Sequence, residues 1–332
     1  MPASSDFTGA GATFPYPLYA KWGKVYEQMY RRVLAYYPFG SGYGITHIRN
    51  GTVTFGGSDM PLTANELSRY KLVQFPTAVG GVVIVLNLPG IAAGQLVLDG
   101  AILARIYLGE IKWWDHPTIQ AFNADLVLPR LPIVVVHRAD SSGTTFLLGK
   151  YLAKVSPSWN GNVGVGRSIG WPIGVGVAGN EGVAMKVRAT SGSIGYVEHA
   201  YVVRHKLLFV RMKNRDREIV SPNFQSFWKT VVVSDWSKAD YSHVDLIDLP
   251  GSETWPIVGA TFALMPQRAH NTVATDEAIK FFDWALSSST AARVSEKLHY
   301  VPVPKTIVDS IRGMWAMDIR DSAGVAIYKI GK

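Results

Sequence analysis

The chain has no cysteine. That absence removes disulfides, thiolate metal sites, a cysteine nucleophile and a lipid-modified cysteine from consideration, and it leaves the compartment open. Long apolar runs are also missing: the longest, such as residues 80–86, fall far short of the roughly 20 residues a membrane helix needs. Met1 to Asp6 offers neither a basic n-region nor an apolar h-region, so no secretory leader is expected in those residues. The eight histidines form no H-E-x-x-H and no pair at metal-ligand spacing near carboxylates, which gives a hydrolytic metal centre no support. A G-x-S-x-G nucleophile elbow is absent as well. The net charge of +8 favours anions in general, but its clustering is weak, at residues 204–217 and at Lys329 and Lys332. Asp216 and Glu218 interrupt that cluster and aromatics are not interleaved with it, so no nucleic-acid footprint is expected.

What is present is a well-packed globular composition: 332 residues, 48% of them apolar, enough for two domains. Strand-like and helix-like runs alternate through the first two thirds, the pattern of α/β layers with largely parallel sheets. Thr63-Ala64-Asn65-Glu66 reads as a capping box, Asp99 as the cap of a helix through Tyr107, and Thr275 as the cap of a helix over residues 276–286. The runs 78–87 and 256–265 are long, apolar and β-rich. They are expected to be two passes between lobes, with the first lobe discontinuous and built from both chain ends.

Arg138-Ala139-Asp140-Ser141-Ser142-Gly143-Thr144-Thr145 lies between an apolar β-like run, 133–136, and a helix-like run, 146–155. A guanidinium, several hydroxyls and the amides of a helix's first turn would meet where a strand ends, an arrangement suited to a small oxyanion. An ordinary N-cap with a surface Arg138–Asp140 pair is the competing reading. Recurrence favours the cradle. Thr8-Gly9-Ala10-Gly11-Ala12-Thr13-Phe14-Pro15 precedes a helical pattern, Gly40-Ser41-Gly42-Tyr43-Gly44 follows the extended run 33–37, and Gly56-Gly57-Ser58-Asp59-Met60-Pro61 follows 53–55. Singly, each is a turn.

Other motifs fail. Gly174-Val175-Gly176-Val177-Ala178-Gly179 matches G-x-G-x-x-G, with Glu198 about twenty residues on, but Trp171-Pro172 precedes it where a strand should be. Asn180-Glu181-Gly182 is expected to break the helix that should follow. The run 143–151 imitates a phosphate loop, but its spacing is one residue too long and Tyr151 stands where Ser or Thr is required. His137 is expected to be a packed or surface histidine rather than a general base.

The motifs resemble those of the phosphate-binding proteins of bacterial ABC importers, the PstS-type substrate-binding family. Thr8 to Pro15 is similar to that family's T-G-A-G-A-T-F-P, Phe55 to Pro61 to F-G-x-S-D-x-P, and Arg138 to Thr144 to R-x-D-x-S-G-T. Further similar blocks include Gln74-Phe75-Pro76-Thr77, Leu96-Val97-Leu98-Asp99-Gly100, Ile194-Gly195-Tyr196-Val197-Glu198 and Phe281-Phe282-Asp283-Trp284-Ala285, so nearly the whole chain is covered. The resemblance implies a two-lobed periplasmic-binding-protein fold of type II-like topology, each lobe a mostly parallel sheet flanked by helices. A two-strand hinge would join lobe I (1–86 plus 256–332) to lobe II (87–255), with the ligand in the cleft between them. Phosphate contacts fall by similarity on Thr13, Phe14, Ser41, Asp59, Arg138, Ser142, Gly143 and Thr144, with Asp140 orienting Arg138. Where the family reads G-S-S-G-G, this chain has Gly40-Ser41-Gly42-Tyr43-Gly44, which keeps Ser41, loses a hydroxyl and adds a bulky ring.

Tight binding of a dehydrated oxyanion needs many donors, because one hydrogen bond does not repay its desolvation. Arg138 is expected to give a bidentate pair, and the hydroxyls of Thr13, Ser41, Ser142 and Thr144 the remainder. Asp59 is the exception, a carboxylate that tolerates an anion only by accepting a proton the ligand carries. Phosphate carries one near neutral pH and sulfate does not, so Asp59 would reject sulfate. The resemblance implies a periplasmic, monomeric, non-enzymatic receptor that uses no cofactor or metal and hands phosphate to an ABC permease. The alternative is a phosphate-ester hydrolase or phosphotransferase with Ser142 or Ser41 as nucleophile.

Overall fold

The computed structural model describes residues 5–236 and 244–329. Met1 to Ser4 and Lys332, which entered the reading of the chain's start and its basic residues, lie outside them. Twelve strands can be named among the described residues: β1 (Phe7–Gly11), β2 (Leu34–Tyr37), β3 (Phe55–Ser58), β4 (Leu72–Asn87), β5 (Val97–Leu98), β6 (Val134–Arg138), β7 (Val175–Val177), β8 (Ser193–Glu198), β9 (Leu208–Phe209), β10 (Arg211–Lys213), β11 (Ile219–Val220) and β12 (Val258–Pro266). The chain divides into two units, one of Met1–Val79, Asp235–Val244 and Ala260–Lys332, the other of Gly80–Ser234 and Asp245–Gly259. The first is discontinuous. Its first segment ends inside β4, between Val79 and Gly80, and its last segment begins inside β12, between Gly259 and Ala260.

In the first unit the strand order is β2-β1-β3-β12. β1 runs parallel to β2 (Phe7↔Leu34) and to β3 (Gly9↔Phe55), while β12 is antiparallel to β3 (Phe262↔Ser58). The helix Ser41–Arg49 packs on β1 and β3, and the helix Thr272–Ser287 on β1. Between these layers lies an aromatic core in which Phe55 meets Phe282 edge-on at 4.9 Å and Phe75 meets Trp315 at 5.1 Å, a geometry that suits the ring quadrupoles.

The second unit orders its strands β4-β8-β6-β7, with β9 also on β4, beside a small sheet β11-β10-β5. β6 is parallel to β7 and to β8, and β8 is antiparallel to β4. The expectation of mostly parallel sheets therefore holds for β1-β2-β3 and for β6-β7-β8. Every antiparallel pair named outside the small sheet involves β4 or β12, the strands in which the chain passes from one unit to the other. Both strands are buried along nearly their whole length, as their apolar sequences require.

Local signals decide most helix starts. The Thr63 capping box forms with both of its bonds, and the Asp99 side chain accepts the Ile102 N–H at 2.8 Å. Two expectations are corrected. The helix expected over 276–286 begins at Thr272, not after Thr275, because the Asn271 side chain accepts the Ala274 N–H at 3.1 Å and takes the capping position one turn earlier. A helix does follow the glycine-rich 174–179 run, Gly179–Ala189, with Asn180 buried inside its first turn.

Candidate functional site

In the first unit, the C-terminal ends of β1 and β3 and the start of the helix Ser41–Arg49 come together at backbone contact distance. Gly11 has φ +136°, and a Cβ there would lie 2.1 Å from the Gly57 carbonyl oxygen. A Cβ on Gly44 would lie 2.6 Å from the Ala10 oxygen. Glycine is thus required at these positions by close approach of backbone, not merely tolerated in a turn. The Gly40 N–H donates to Gly11 O at 2.8 Å and the Ala12 N–H to Gly57 O at 2.9 Å, which locks the three segments.

This frame positions four of the expected residues. Thr13 and Phe14 follow β1 just before the helix Tyr16–Tyr30, and the Phe14 carbonyl is held by the Tyr300 hydroxyl at 2.7 Å. Ser41 is the first residue of its helix, and its Oγ accepts the Asp59 N–H at 3.2 Å. The Asp59 carboxylate is 2% exposed, and its Oδ1 accepts the Thr261 hydroxyl at 2.6 Å. All four residues are buried. Tyr43, the bulky ring of this loop, stands 37% exposed and is stacked on His47 at 3.9 Å. Unit 1 also has a cleft of about 250 Å³ lined by Asp6, Thr8, Thr54, His270 and Asn271; it lies by the start of β1 and includes none of the expected ligand residues.

In the second unit, β6 ends at Arg138 and the next helix, Gly143–Val155, starts five residues later. Ser142 is its N-cap, accepting the Thr145 N–H at 3.1 Å. Gly143 and Thr144 occupy the first turn, where amides lack intrahelical acceptors. Arg138 is 3% exposed. Its Nε donates to Asp140 Oδ1 at 2.6 Å, its Nη2 donates to Asp140 Oδ2, and its Nη1 donates to Thr144 Oγ1 at 3.3 Å. A guanidinium has five N–H bonds, so this pattern leaves one on each terminal nitrogen. The Nε–Nη2 edge belongs to Asp140, which leaves the Nη1–Nη2 end as the edge that can offer an oxyanion a bidentate pair.

Burial pushes the Asp140 carboxyl up, but the hydrogen bonds and charge of Arg138 and the Gly179 N–H, 3.0 Å from Oδ1, outweigh it and hold Asp140 below the usual carboxylate range. It is therefore ionised at neutral pH and compensates the buried guanidinium. His137 does not face this chemistry as a base. Its ring stacks on Trp171 at 4.7 Å, its Nδ1 lies 3.1 Å from the Arg138 carbonyl, and burial lowers its basicity.

Several supporting residues were not found from sequence. The Tyr196 hydroxyl accepts the Arg138 N–H at 3.1 Å and pairs with Thr145 Oγ1 at 2.6 Å; burial pushes its acidity constant up to about 12, so it remains protonated. Asn180 spans 3.4 Å to Thr144 Oγ1 while its carbonyl accepts the Glu198 N–H at 2.9 Å. The rejected 174–179 run thus has a use: Gly179 and Asn180 at its end steady Asp140 and Thr144.

Two buried donor sets, each where strands end and a helix begins and each in its own α/β unit, are an arrangement suited to binding a small anionic solute. Residues 2–289 match the PBP superfamily domain. The chain is 41% identical over 326 residues to the phosphate-binding protein PstS of Pasteurella multocida, covering 98% of this chain and 94% of that protein. It is likewise 41% identical to PstS of Haemophilus influenzae over 317 residues, with 96% and 94% covered. The chain belongs to the PstS family of phosphate-binding proteins. Among solved structures it resembles a high-affinity periplasmic phosphate-binding protein, PfluDING, bound with phosphate at pH 8.5, with TM-score 0.77, 24% identity and 98% and 96% of the two chains covered. At that identity the likeness concerns the fold.

Proposed function

We propose that this chain is a high-affinity receptor for inorganic orthophosphate that delivers it to an ABC-type permease and performs no chemistry on it. One ion takes donors from both units: the amides at Thr13 and Phe14 with the hydroxyls of Thr13 and Ser41 on one side, and Arg138 with Ser142, Gly143 and Thr144 on the other. The observation that carries this reading is the buried Arg138 guanidinium, steadied by Asp140 and Thr144 with one N–H on each terminal nitrogen. Two such donors match an O–O edge of a tetrahedral anion. Asp59 accepts the proton that phosphate retains near neutral pH, which excludes sulfate. The sequence similarity to phosphate-binding proteins over nearly the full chain supports the same ligand.

The protein works as a monomer in the periplasm, without cofactor, and the lobes close on the ligand about β4 and β12. A hydrolase using Ser142 or Ser41 finds no favouring observation, since Ser142 Oγ serves as a helix cap and Ser41 Oγ accepts a backbone amide.

Isothermal titration of ligand-stripped protein with phosphate and, separately, with sulfate at neutral pH tests the proposal. One-to-one phosphate binding without sulfate binding is expected. Binding of both would remove the role of Asp59, and binding of neither would remove the receptor reading altogether.

A further inference from the structure

The Asp59 carboxylate is held by the Thr261 hydroxyl, and the Thr261 backbone is in turn held by buried hydroxyls whose donor directions follow from counting protons. Thr77 Oγ1 donates to the Thr261 carbonyl at 3.1 Å. A threonine hydroxyl has one proton, so the short contact between Tyr19 and Thr77 is one in which Tyr19 donates. Burial, only partly opposed by the bond to Thr77, pushes the Tyr19 hydroxyl well above its ordinary acidity constant, so it keeps that proton. The Thr261 hydroxyl itself donates to Asp59 Oδ1 at 2.6 Å. Tyr19, Thr77, Thr261 and Asp59 come from a helix, β4, β12 and the end of β3, all within one unit and all buried.

We infer that Thr261 is a specificity-positioning residue, one that sets the ligand preference of the site through Asp59 without touching the ligand itself. The inference rests on the reading of Asp59 as acceptor of the phosphate proton. A buried carboxylate can reject a fully ionised anion only while it remains an acceptor. If it took up a proton it would become a donor, and sulfate would be as welcome as phosphate. The hydroxyl proton that Thr261 donates to Oδ1 is a bond made to the charged carboxylate, which favours that form over the neutral acid and fixes the plane of the group. Because the Thr261 backbone carbonyl is tied to Thr77, the donor is itself immobilised. Thr261 thus keeps Asp59 in the state that discriminates.

The test is parallel titration of wild type, Thr261→Val, Thr261→Ser and Asp59→Asn with phosphate and with sulfate at neutral pH, alongside thermal melts. Thr261→Val is expected to shrink the phosphate-over-sulfate affinity ratio by about tenfold or more, the size of one charge-assisted hydrogen bond, and Thr261→Ser to restore it. A purely structural role would weaken both anions alike and leave the ratio unmoved. Should the valine variant not fold, Thr261→Ala serves in the same comparison. The inference is overturned if Asp59→Asn collapses the ratio while the valine or alanine variant retains it. If Asp59→Asn also leaves the ratio intact, the reading of Asp59 fails first, and this inference fails with it.

Discussion

Asp140 grips the Arg138 guanidinium side-on, through Nε at 2.6 Å and through Nη2, while its Oδ1 also accepts the Gly179 N–H. This grip makes one rotamer of a buried arginine stable and points its far end outward from the carboxylate. Asp140→Asn would keep the shape but lose the charge and one of the two acceptors. Phosphate affinity is expected to fall about tenfold or more, since charge-assisted bonds are worth roughly 1.5 to 3 kcal/mol. Calorimetric titration showing unaltered affinity would sink this account of Asp140.

The same carboxylate predicts an acid limit. Its folded value is depressed, so its contribution to stability is complete above the unfolded value of about 3.9 and is lost as pH falls through the folded value. The gap in melting temperature between wild type and Asp140→Asn should be flat from neutral pH to about 5 and narrow below about 4. A gap that changes between pH 8 and 6 would point to another group.

Tyr196→Phe removes the hydroxyl shared by the Arg138 amide and Thr145, leaving two buried partners without it. Loss of a buried partner typically costs about 1 to 3 kcal/mol, so urea unfolding should show a destabilisation in that range. An unaffected midpoint would mean that the surroundings supply a replacement.

Gly11→Ala introduces a Cβ 2.1 Å from the Gly57 oxygen, at a φ of +136° that L side chains rarely adopt. Both penalties act together, and a loss exceeding about 3 kcal/mol, or failure to fold, is expected. Purification of a stable alanine variant would contradict the claim that backbone approach dictates this glycine.

Much of this was legible in local sequence and some was not. Thr63 and Asp99 announced themselves as caps because capping is a contact between residues two or three apart. Asn271 and Thr275 were both capping types before apolar periodicity, and only the structure shows that Asn271 acts first. Thr261, Tyr196 and Asn180 carried no signal, because their partners are 202, 58 and 36 residues away in the chain. Hydrogen bonds of that separation are set by sheet register, which a single sequence does not display. The crossing strands were visible as apolar runs, yet their antiparallel direction was not, since hydrophobicity does not encode strand polarity.

Tyr43 departs from the family's small residue, and its placement predicts a small effect. Stacked on His47 and partly exposed, it can be replaced by serine with less than about 0.5 kcal/mol change in stability and little change in phosphate affinity. A large loss of affinity would show that the ring shapes the Ser41 loop.

The discontinuity of the first unit has a bearing on biogenesis. Its third strand, β3, waits for β12, which lies about two hundred residues later, so on a ribosome the earlier-made half must persist without its neighbour. The second unit is complete once Gly259 has emerged. The later-made unit is therefore expected to fold first, and the first unit to remain vulnerable until nearly the whole chain is synthesised. Hydrogen exchange on a chain ending at Gly259 should show protected amides in β6 and β8 and unprotected ones in β1 and β3; the reverse pattern would show that the opening segment finds its structure unaided.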